Sequence, residues 1–167
     1  EDIKPHNPQL IYTRISGYGQ SGPYSRKPGY ASVTEAFSGF RYLNGYPEDV
    51  PVRPNLSLGD SVAGVHAALG VLLALLARNN NAQGQIIDVA LYETMFNLME
   101  GVVPEYDGAG AIREPAGSTL TGIVPTNTYL CRDNKHVVIG GNGDSIYVRL
   151  MTAIGRADLA NDPALGS

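Results

Sequence analysis

An acidic residue stands directly before the most apolar segment of the chain, in the run Ser57-Leu58-Gly59-Asp60-Ser61. At the start of a helix, Asp60 could serve as the N-cap, or as the acid of a capping box that begins at Ser57. The same position suits a nucleophile, because a helix N-terminus favours an ionised carboxylate and its free N–H groups can stabilise an oxyanion. Capping and catalysis do not exclude each other, and the residues alone leave both open.

A glycine-rich run, Gly17–Gly22, matches the pattern G-x-G-x-x-G and follows a predicted strand, Leu10–Ser16. In a dinucleotide-binding fold this pattern must open a helix whose N-terminus faces a pyrophosphate. Here Pro23 and Pro28 interrupt any such helix, and Glu35 lies too near to be the ribose-binding acid. The pattern therefore favours a structural loop at the carboxyl end of a strand, where α/β sheets gather ligands.

Three further side chains in or next to this loop could contact a ligand. Arg26 and Lys27 can pair with phosphate or carboxylate oxygens, although a solvated surface pair is the simpler interpretation. The phenol of Tyr30 can donate a hydrogen bond to an acyl oxygen, or it can simply pack.

Other kinds of chemistry find no support in the sequence. His66 and His136 have no acid, cysteine or second histidine at metal-ligand spacing, so no metal site is predicted. No serine lies in a G-x-S-x-G elbow, which argues against a hydrolase triad. The single cysteine, Cys131, is interpreted as incidental, and a lone thiol is typical of a reducing compartment.

Composition narrows the class of protein. The chain has 167 residues, of which 43% are hydrophobic and 17% charged, as expected of a soluble globular protein. A net charge of -4 and the lack of a basic cluster argue against nucleic acid as a partner. The longest apolar run, Val65–Ala77, is shorter than the ~20 residues of a membrane span, so it predicts a buried helix and no membrane partner. The chain opens at Glu1 rather than at a methionine, and we expect it to be an internal piece of a longer protein.

The elements that must position these residues alternate between strands and helices in the first part of the chain. Apolar residues cover every face of the segment Ser61–Asn79, which predicts a helix buried on all sides, and Gly84 after it could adopt a positive φ. A Gly/Ala/Pro-rich passage from Tyr106 to Gly122 predicts a linker or mobile loop. The other predicted elements are a helix at Ser32–Phe40, a strand at Gln85–Leu91, a helix at Tyr92–Val103 that Pro104 stops, a hairpin of Asn127–Cys131 with His136–Gly140, and a helix at Asp144–Ile154.

Four motifs, taken in order, resemble a known family. They are Ile15-Ser16-Gly17-Tyr18-Gly19-Gln20-Ser21-Gly22-Pro23-Tyr24, Pro28-Gly29-Tyr30, Gly59-Asp60-Ser61 and Gly84-Gln85-x-Ile87-Asp88-Val89. Together they resemble the family III CoA-transferases, of the CaiB/BaiF type, which include formyl-CoA transferase and the carnitine CoA-transferases. The resemblance extends over essentially the whole chain.

This resemblance implies a Rossmann-like large α/β domain followed by a small α+β domain, in two chains interlocked as a homodimer. It implies that residues 1–103 belong to the large domain, 104–116 to a linker and 117–167 to the small domain. Asp60 is implied to be catalytic and Tyr30 to line the acyl site. A covering loop, Gly117–Gly122, would contact the substrate through Gly117, Ser118 and Gly122, and Arg26 and Lys27 are candidates for binding CoA.

The implied reaction needs an acyl-CoA and a small carboxylic acid as substrates and no tightly bound cofactor. Much of the CoA-binding large domain would precede Glu1, so this piece alone is expected to be inactive. Ala31 stands where many members have an acid, and the covering loop has few glycines, which argues against formyl or oxalate specificity. The segment Met99–Tyr106 and the pair Gly117-Ser118 are more similar to members that use succinyl-CoA and small dicarboxylates such as malate, citramalate, itaconate or glutarate.

Two alternatives belong to other classes. An α-methylacyl-CoA racemase has the same fold, but carries a His-Asp pair where this chain has Tyr30-Ala31. A non-catalytic, interlocked scaffold is the other alternative, which only an activity measurement can separate from an enzyme.

We expect a cytoplasmic protein, or one of the mitochondrial matrix if the source is eukaryotic.

Overall fold

The structure is a computed structural model that describes residues 2–165. These residues form two compact units. The first unit contains residues 2–44 and 50–114, and the second contains residues 45–49 and 115–165. Each unit has its own sheet, and each is described by itself below.

The first unit is built on two parallel strands. Strand β1 (Tyr12–Ser16) pairs with β2 (Ile86–Ala90), in a register that runs from Tyr12 opposite Ile86 to Ser16 opposite Ala90. Because parallel neighbours need a crossover connection, helices lie between the two strands in sequence, and the predicted α/β class is confirmed. The helices are α1 (Ala31–Phe37), α2 (Phe40–Leu43), α3 (Leu58–Asn81), α4 (Leu91–Phe96) and α5 (Val102–Ala109), with a 3-10 turn at Asn97–Met99.

The predicted helix Ser32–Phe40 is divided in the structure into α1 and α2. Gly39 separates them with φ of 88°, a left-handed backbone conformation that costs glycine little and ends a right-handed helix. The side chain of Ser38 donates to the carbonyl of Glu35, 2.9 Å away, and so satisfies a carbonyl near the end of α1.

Helix α3 has two very different faces. Its buried residues are small, and they recur about once per turn: Gly59, Ala63, Ala67 and Ala74. We call these four residues the small-residue face. Five large apolar residues of α3 are more than half exposed: Val65, Leu69, Leu72, Leu73 and Leu76. Other large residues, such as Val62, Val71 and Leu75, are half-buried. The prediction that the helix is buried on all sides is wrong for the described part of the chain, because α1, α4, β1 and β2 leave one side of α3 uncovered.

Helix α3 is 24 residues long, so it extends beyond the apolar run Val65–Ala77 that predicted no membrane span. Among residues 2–165, α3 alone is long and apolar enough to cross a membrane. A mostly buried core helix of a soluble protein meets the same criterion of length and composition, whereas 17% of the apolar window of α3 is buried. Ala63 and Ala67 of α3 form one hydrophobic cluster with Val89 and Leu91, which ties the helix to the end of β2.

The end of α3 differs from the prediction at Gly84. Ala82, not Gly84, has the left-handed conformation that ends the helix, with φ of 55°, and its N–H donates to the carbonyl of Arg78 at 2.8 Å. Gly84 is needed for another reason. A Cβ there would lie 1.9 Å from the carbonyl oxygen of Leu10, and its N–H donates to the carbonyl of Pro8 at 2.8 Å.

Pro104 does not stop a helix as predicted. The segment after β2 forms the short α4 and a 3-10 turn, and Pro104 then lies in the first turn of α5. Proline is tolerated there because the N–H groups of a first turn have no partner within the helix. Residues 104–109 of the predicted linker are therefore helical.

The second unit contains the predicted hairpin. Strand β3 (Thr126–Leu130) pairs antiparallel with β4 (His136–Gly140), and Asn134 in the connecting turn has a φ of 59°. Asparagine is one of the few non-glycine residues that accept this conformation. Two helices follow, α6 (Asp144–Ala153) and α7 (Ala157–Ala160), of which α6 agrees closely with the predicted Asp144–Ile154.

Replacing Gly84 by alanine is expected to destabilise the intact protein, because the new methyl group would collide with the backbone of Leu10. The free energy of unfolding should fall by about 2 kcal/mol or more, as overpacking does elsewhere. Urea denaturation measures it. The control is Gly108→Ala on α5, where a Cβ would meet no atom within 4 Å and stability should hold or rise slightly. Equal stability of the two variants would contradict the close approach at Gly84.

Candidate functional site

The N-termini of α1 and α3 meet at one close contact. A Cβ on Gly59 would lie 3.2 Å from the Cβ of Ala31 and 3.4 Å from its Cα, so the two helices approach as closely as a glycine allows. Tyr30 directly precedes Ala31, and Asp60 directly follows Gly59. The structure thus brings two predicted site residues to the same helix junction.

Asp60 lies in the first turn of α3 with an exposed side chain. Its carboxylate has no hydrogen-bond or ion-pair partner among residues 2–165. Ser57 is the N-cap, but its side chain makes no capping hydrogen bond, so the capping box that could have explained Asp60 is not formed. The carboxylate is therefore exposed at the N-terminus of α3 and takes no part in capping the helix.

Tyr30 is the N-cap residue of α1 and has an extended backbone, with φ of -105° and ψ of 161°. Its carbonyl accepts hydrogen bonds from the N–H groups of Val33 and Thr34. Its side chain is 80% exposed, so packing does not account for the ring. The side chain of this N-cap residue is therefore accessible to solvent.

Glu35 is a residue near this junction that sequence reasoning missed. It is 0% exposed, and its Oε1 atom accepts a hydrogen bond of 3.3 Å from the N–H of Gly59. Its Oε2 atom lies 3.0 Å from Nη2 of Arg41. The sequence did contain a signal, because Glu35 falls on the same helical face as Ala31 and Ser38, both of which are buried.

The glycine-rich loop of residues 17–29 is closed at its base by two glycines. A Cβ on Gly17 would lie 2.6 Å from the Cα of Gly29, so neither residue tolerates a side chain without a shift. The loop also contacts β2, because the N–H of Gln20 donates a hydrogen bond of 2.7 Å to the carboxylate of Asp88. No helix follows the glycines until Ala31, which agrees with the rejection of a dinucleotide-binding fingerprint.

Aromatic rings support the loop. The ring of Tyr18 contacts Tyr24, Phe37 and Tyr92, with centroids 5.5, 5.3 and 6.1 Å away. Burial raises the pKa of the Tyr92 phenol, and its hydrogen bond to Glu93 raises that pKa further. The cluster holds the loop through side-chain packing rather than through regular secondary structure.

Arg26 and Lys27 lie on the exposed part of this loop. The Lys27 ammonium lies 4.2 Å from the centroid of the Tyr24 ring, a cation–π contact, while Arg26 has no ion-pair partner among residues 2–165. No described contact joins either cation to Asp60 or Tyr30. Their role in binding CoA stays a prediction.

The predicted covering loop belongs to the second unit. Gly117 has φ of 63° and lies against the ring of Tyr46, where a Cβ would approach a ring carbon to 2.5 Å. Ser118 donates a hydrogen bond to the side-chain oxygen of Asn127, and Gly122 has φ of 82°. Both glycines are thus required by the backbone of the loop itself. Contact of Gly117, Ser118 and Gly122 with a substrate stays a prediction.

Within residues 2–165, no three side chains of His, Cys, Asp or Glu come together as metal ligands would. His66 has other partners. Its Nδ1 lies 2.9 Å from the carbonyl of Val62, and its Nε2 lies 3.2 Å from the side-chain nitrogen of Asn97.

Comparison with known proteins connects this geometry to a family. Residues 1–167 match the model of CoA-transferase family III. A succinyl-CoA–D-citramalate CoA-transferase of Chloroflexus aurantiacus is 45% identical, over 98% of this chain and 40% of its own length. A succinyl-CoA:mesaconate CoA-transferase of Haloarcula hispanica is 31% identical, over 100% of this chain and 43% of its own.

Solved structures agree with these matches. A CaiB/BaiF family protein from Brucella suis superposes with a TM-score of 0.78 at 29% identity, over 98% of this chain and 43% of its own. A Mycobacterium tuberculosis protein superposes with a TM-score of 0.77 at 28% identity, over 97% and 42%. The chain therefore spans about two fifths of the length of these relatives.

Proposed function

Because the chain belongs to family III of the CoA-transferases, we propose that the intact protein moves CoA from succinyl-CoA to a small dicarboxylic acid, with Asp60 as the nucleophile. The observation that carries the proposal is the unpartnered carboxylate of Asp60 in the first turn of α3, at the helix junction that Tyr30 also adjoins. A carboxylate with no structural partner, held at the positive end of a helix, is suited to nucleophilic attack.

The choice of succinyl-CoA and a dicarboxylate rests on relatives and on residue differences. The relatives at 45% and 31% identity are described as acting on D-citramalate and mesaconate, both with succinyl-CoA. Ala31, which packs on Gly59, leaves no acidic side chain next to Tyr30. The site is therefore less negative than one with an acid there, which favours a substrate that carries a second carboxylate.

The reaction requires only a carboxylate and the CoA thiolate. An oxygen of Asp60 attacks the thioester carbonyl of succinyl-CoA; the C–S bond breaks, and a mixed anhydride and CoA thiolate result. The thiolate attacks the aspartyl carbonyl and expels succinate, which leaves an aspartyl-CoA thioester. The acceptor carboxylate attacks that thioester, which gives a second mixed anhydride and releases CoA thiolate. The thiolate then attacks the acceptor carbonyl of this anhydride, which forms the acceptor CoA thioester and restores the Asp60 carboxylate. The written steps require no net proton transfer and no metal, nucleotide or redox cofactor.

The other residues would assist without forming covalent bonds. Backbone N–H groups at the start of α3 and the Tyr30 phenol can donate to the oxyanion that forms in each attack. Arg26 and Lys27 can pair with phosphates of CoA. The loop with Gly117, Ser118 and Gly122 would exclude water, since the anhydride and the aspartyl thioester both hydrolyse.

We also retain the family's architecture as part of the proposal. Residues 1–103 would belong to the large domain, 104–116 to the linker and 117–167 to the small domain of an interlocked homodimer. We further propose a cytoplasmic location, or the mitochondrial matrix if the source is eukaryotic.

An Asp60 adduct is the direct test of the nucleophile. Intact protein is incubated with succinyl-CoA, quenched with hydroxylamine, digested and analysed by mass spectrometry. We expect an aspartyl hydroxamate at Asp60, because hydroxylamine attacks the carbonyl of the aspartyl-CoA thioester and displaces CoA thiolate.

Asp60→Asn is the matched control for this experiment, since it keeps the shape of the side chain and removes the nucleophile. It should give no hydroxamate and no CoA transfer. Intact wild-type protein that binds CoA but forms no adduct with succinyl-CoA or other donors would contradict the proposal. Exchange of an α-proton of the acyl group would then test the racemase alternative.

Tyr30→Phe should lower kcat about tenfold, the effect of losing one hydrogen bond to developing charge. The thermal midpoint should not change, because the ring is 80% exposed and its hydroxyl has no partner among residues 2–165. Steady-state kinetics and thermal denaturation measure the two quantities. An unchanged kcat would remove Tyr30 from the site.

The acceptor class is tested by exchange from succinyl-CoA to a panel of acids. We expect kcat/KM for D-citramalate, malate or mesaconate to exceed that for formate and oxalate by roughly tenfold or more, the discrimination available from one pocket contact. Formate or oxalate as the preferred acceptor would contradict the dicarboxylate assignment while leaving Asp60 as nucleophile.

A further inference from the structure

Glu35 is the one ionisable residue among the fully buried side chains of residues 2–165. A carboxylate without solvent is costly unless both oxygens have partners. Here each oxygen has one. Oε2 lies 3.0 Å from Arg41 Nη2, and Oε1 accepts the N–H of Gly59 at 3.3 Å. The cost of burial is offset by contacts on two different helices.

Arg41 is itself held against α1. Its Nη2 atom donates to the carbonyl of Ser32 at 3.2 Å and to the Ser32 hydroxyl at 3.0 Å, besides Glu35. The guanidinium thus fixes the direction of the Glu35 side chain along α1. With Oε2 fixed in this way, Oε1 is directed at α3.

The partner of Oε1 is a group that α3 cannot satisfy alone. The first N–H groups of a helix have no intrahelical acceptor, and the N-cap Ser57 supplies no side-chain acceptor. Glu35 therefore caps α3 from another helix, at the residue next to Asp60. Glu35 also lies four residues, about one turn, after Ala31, whose side chain packs on the same Gly59.

We propose that Glu35, oriented by Arg41, is a positioning residue that fixes the first turn of α3 and thereby the carboxylate of Asp60 relative to Tyr30. This proposal rests on the proposed function of Asp60. Glu35 touches no substrate and acts through the backbone of Gly59. Attack by a carboxylate is sensitive to such positioning, since a displacement of about 1 Å can cost a hundredfold in rate.

The test compares adduct formation at Asp60 in intact wild-type protein and three variants. Glu35→Gln keeps the length that reaches Gly59 but loses the negative charge that pairs with Arg41. Glu35→Asp keeps the charge but is one methylene shorter and does not reach Gly59. Asp107→Ala, on the exposed face of α5, is the control. Single-turnover rates with succinyl-CoA, kcat, KM and thermal midpoints are measured for each.

We expect Glu35→Asp to lower the single-turnover rate and kcat roughly ten- to hundredfold, with KM for succinyl-CoA changed by less than about twofold. Glu35→Gln should fall between Glu35→Asp and wild type, because its one amide oxygen can accept either from Gly59 or from Arg41 but not from both. Asp107→Ala should match wild type. The thermal midpoint should fall further in Glu35→Gln than in Glu35→Asp, since Glu35→Asp can keep the ion pair with Arg41 and Glu35→Gln cannot.

If Glu35 has only a structural role, the less stable variant, Glu35→Gln, should also be the slower one. That result would overturn the proposal. A single-turnover rate of Glu35→Asp equal to that of wild type also overturns the proposal. If Glu35→Gln does not fold, the comparison of Glu35→Asp with wild type is sufficient by itself. Wild-type protein without an adduct refutes the proposed function instead. Wild-type protein with an adduct, and Glu35→Asp equally fast, refutes only the role of Glu35.

Discussion

The small-residue face of α3 determines how closely that helix can approach its neighbours. Ala63 and Ala67 allow it to lie against the end of β2, and Gly59 allows its first turn to touch Ala31 of α1. A larger side chain at any of these positions would push the helix outward, and the N-terminus of α3 would move with it. The position of Asp60 thus depends on the small size of Gly59, Ala63 and Ala67, which permits these close contacts.

The two acidic residues near the contact of Gly59 with Ala31, Glu35 and Asp60, differ in solvent exposure. Glu35 is buried, and both of its oxygens have hydrogen-bond partners. Asp60 and Tyr30 are exposed, and their side chains have no partner among the described residues. This contrast agrees with the two roles we propose, a supporting one for Glu35 and a nucleophilic one for Asp60.

Much of the first unit could be predicted from sequence, because it depends on local patterns. The strands, the long helix and the proline-interrupted loop follow from hydrophobic periodicity and from backbone chemistry. The link from Glu35 to Gly59 could not be predicted, since it joins residues on different helices. Periodicity also failed to show which face of α3 would be covered, because apolar residues surround the helix and only the packing of small residues distinguishes the faces. At Ala82 and Gly84, tertiary contacts rather than propensity decided which residue adopts the left-handed conformation.

The pairing of β1 with β2 has a consequence for the order in which the chain acquires its structure. All of α1, α2 and α3 separate the two strands in sequence, so β1 leaves the ribosome long before its partner exists. Helix α3 can form from its own residues on the microsecond scale, whereas the parallel pair must wait for a long loop to close. Until β2 has been synthesised, the edge of β1 that β2 covers has unpaired backbone groups. An unpaired strand edge of this kind favours association between partly folded chains.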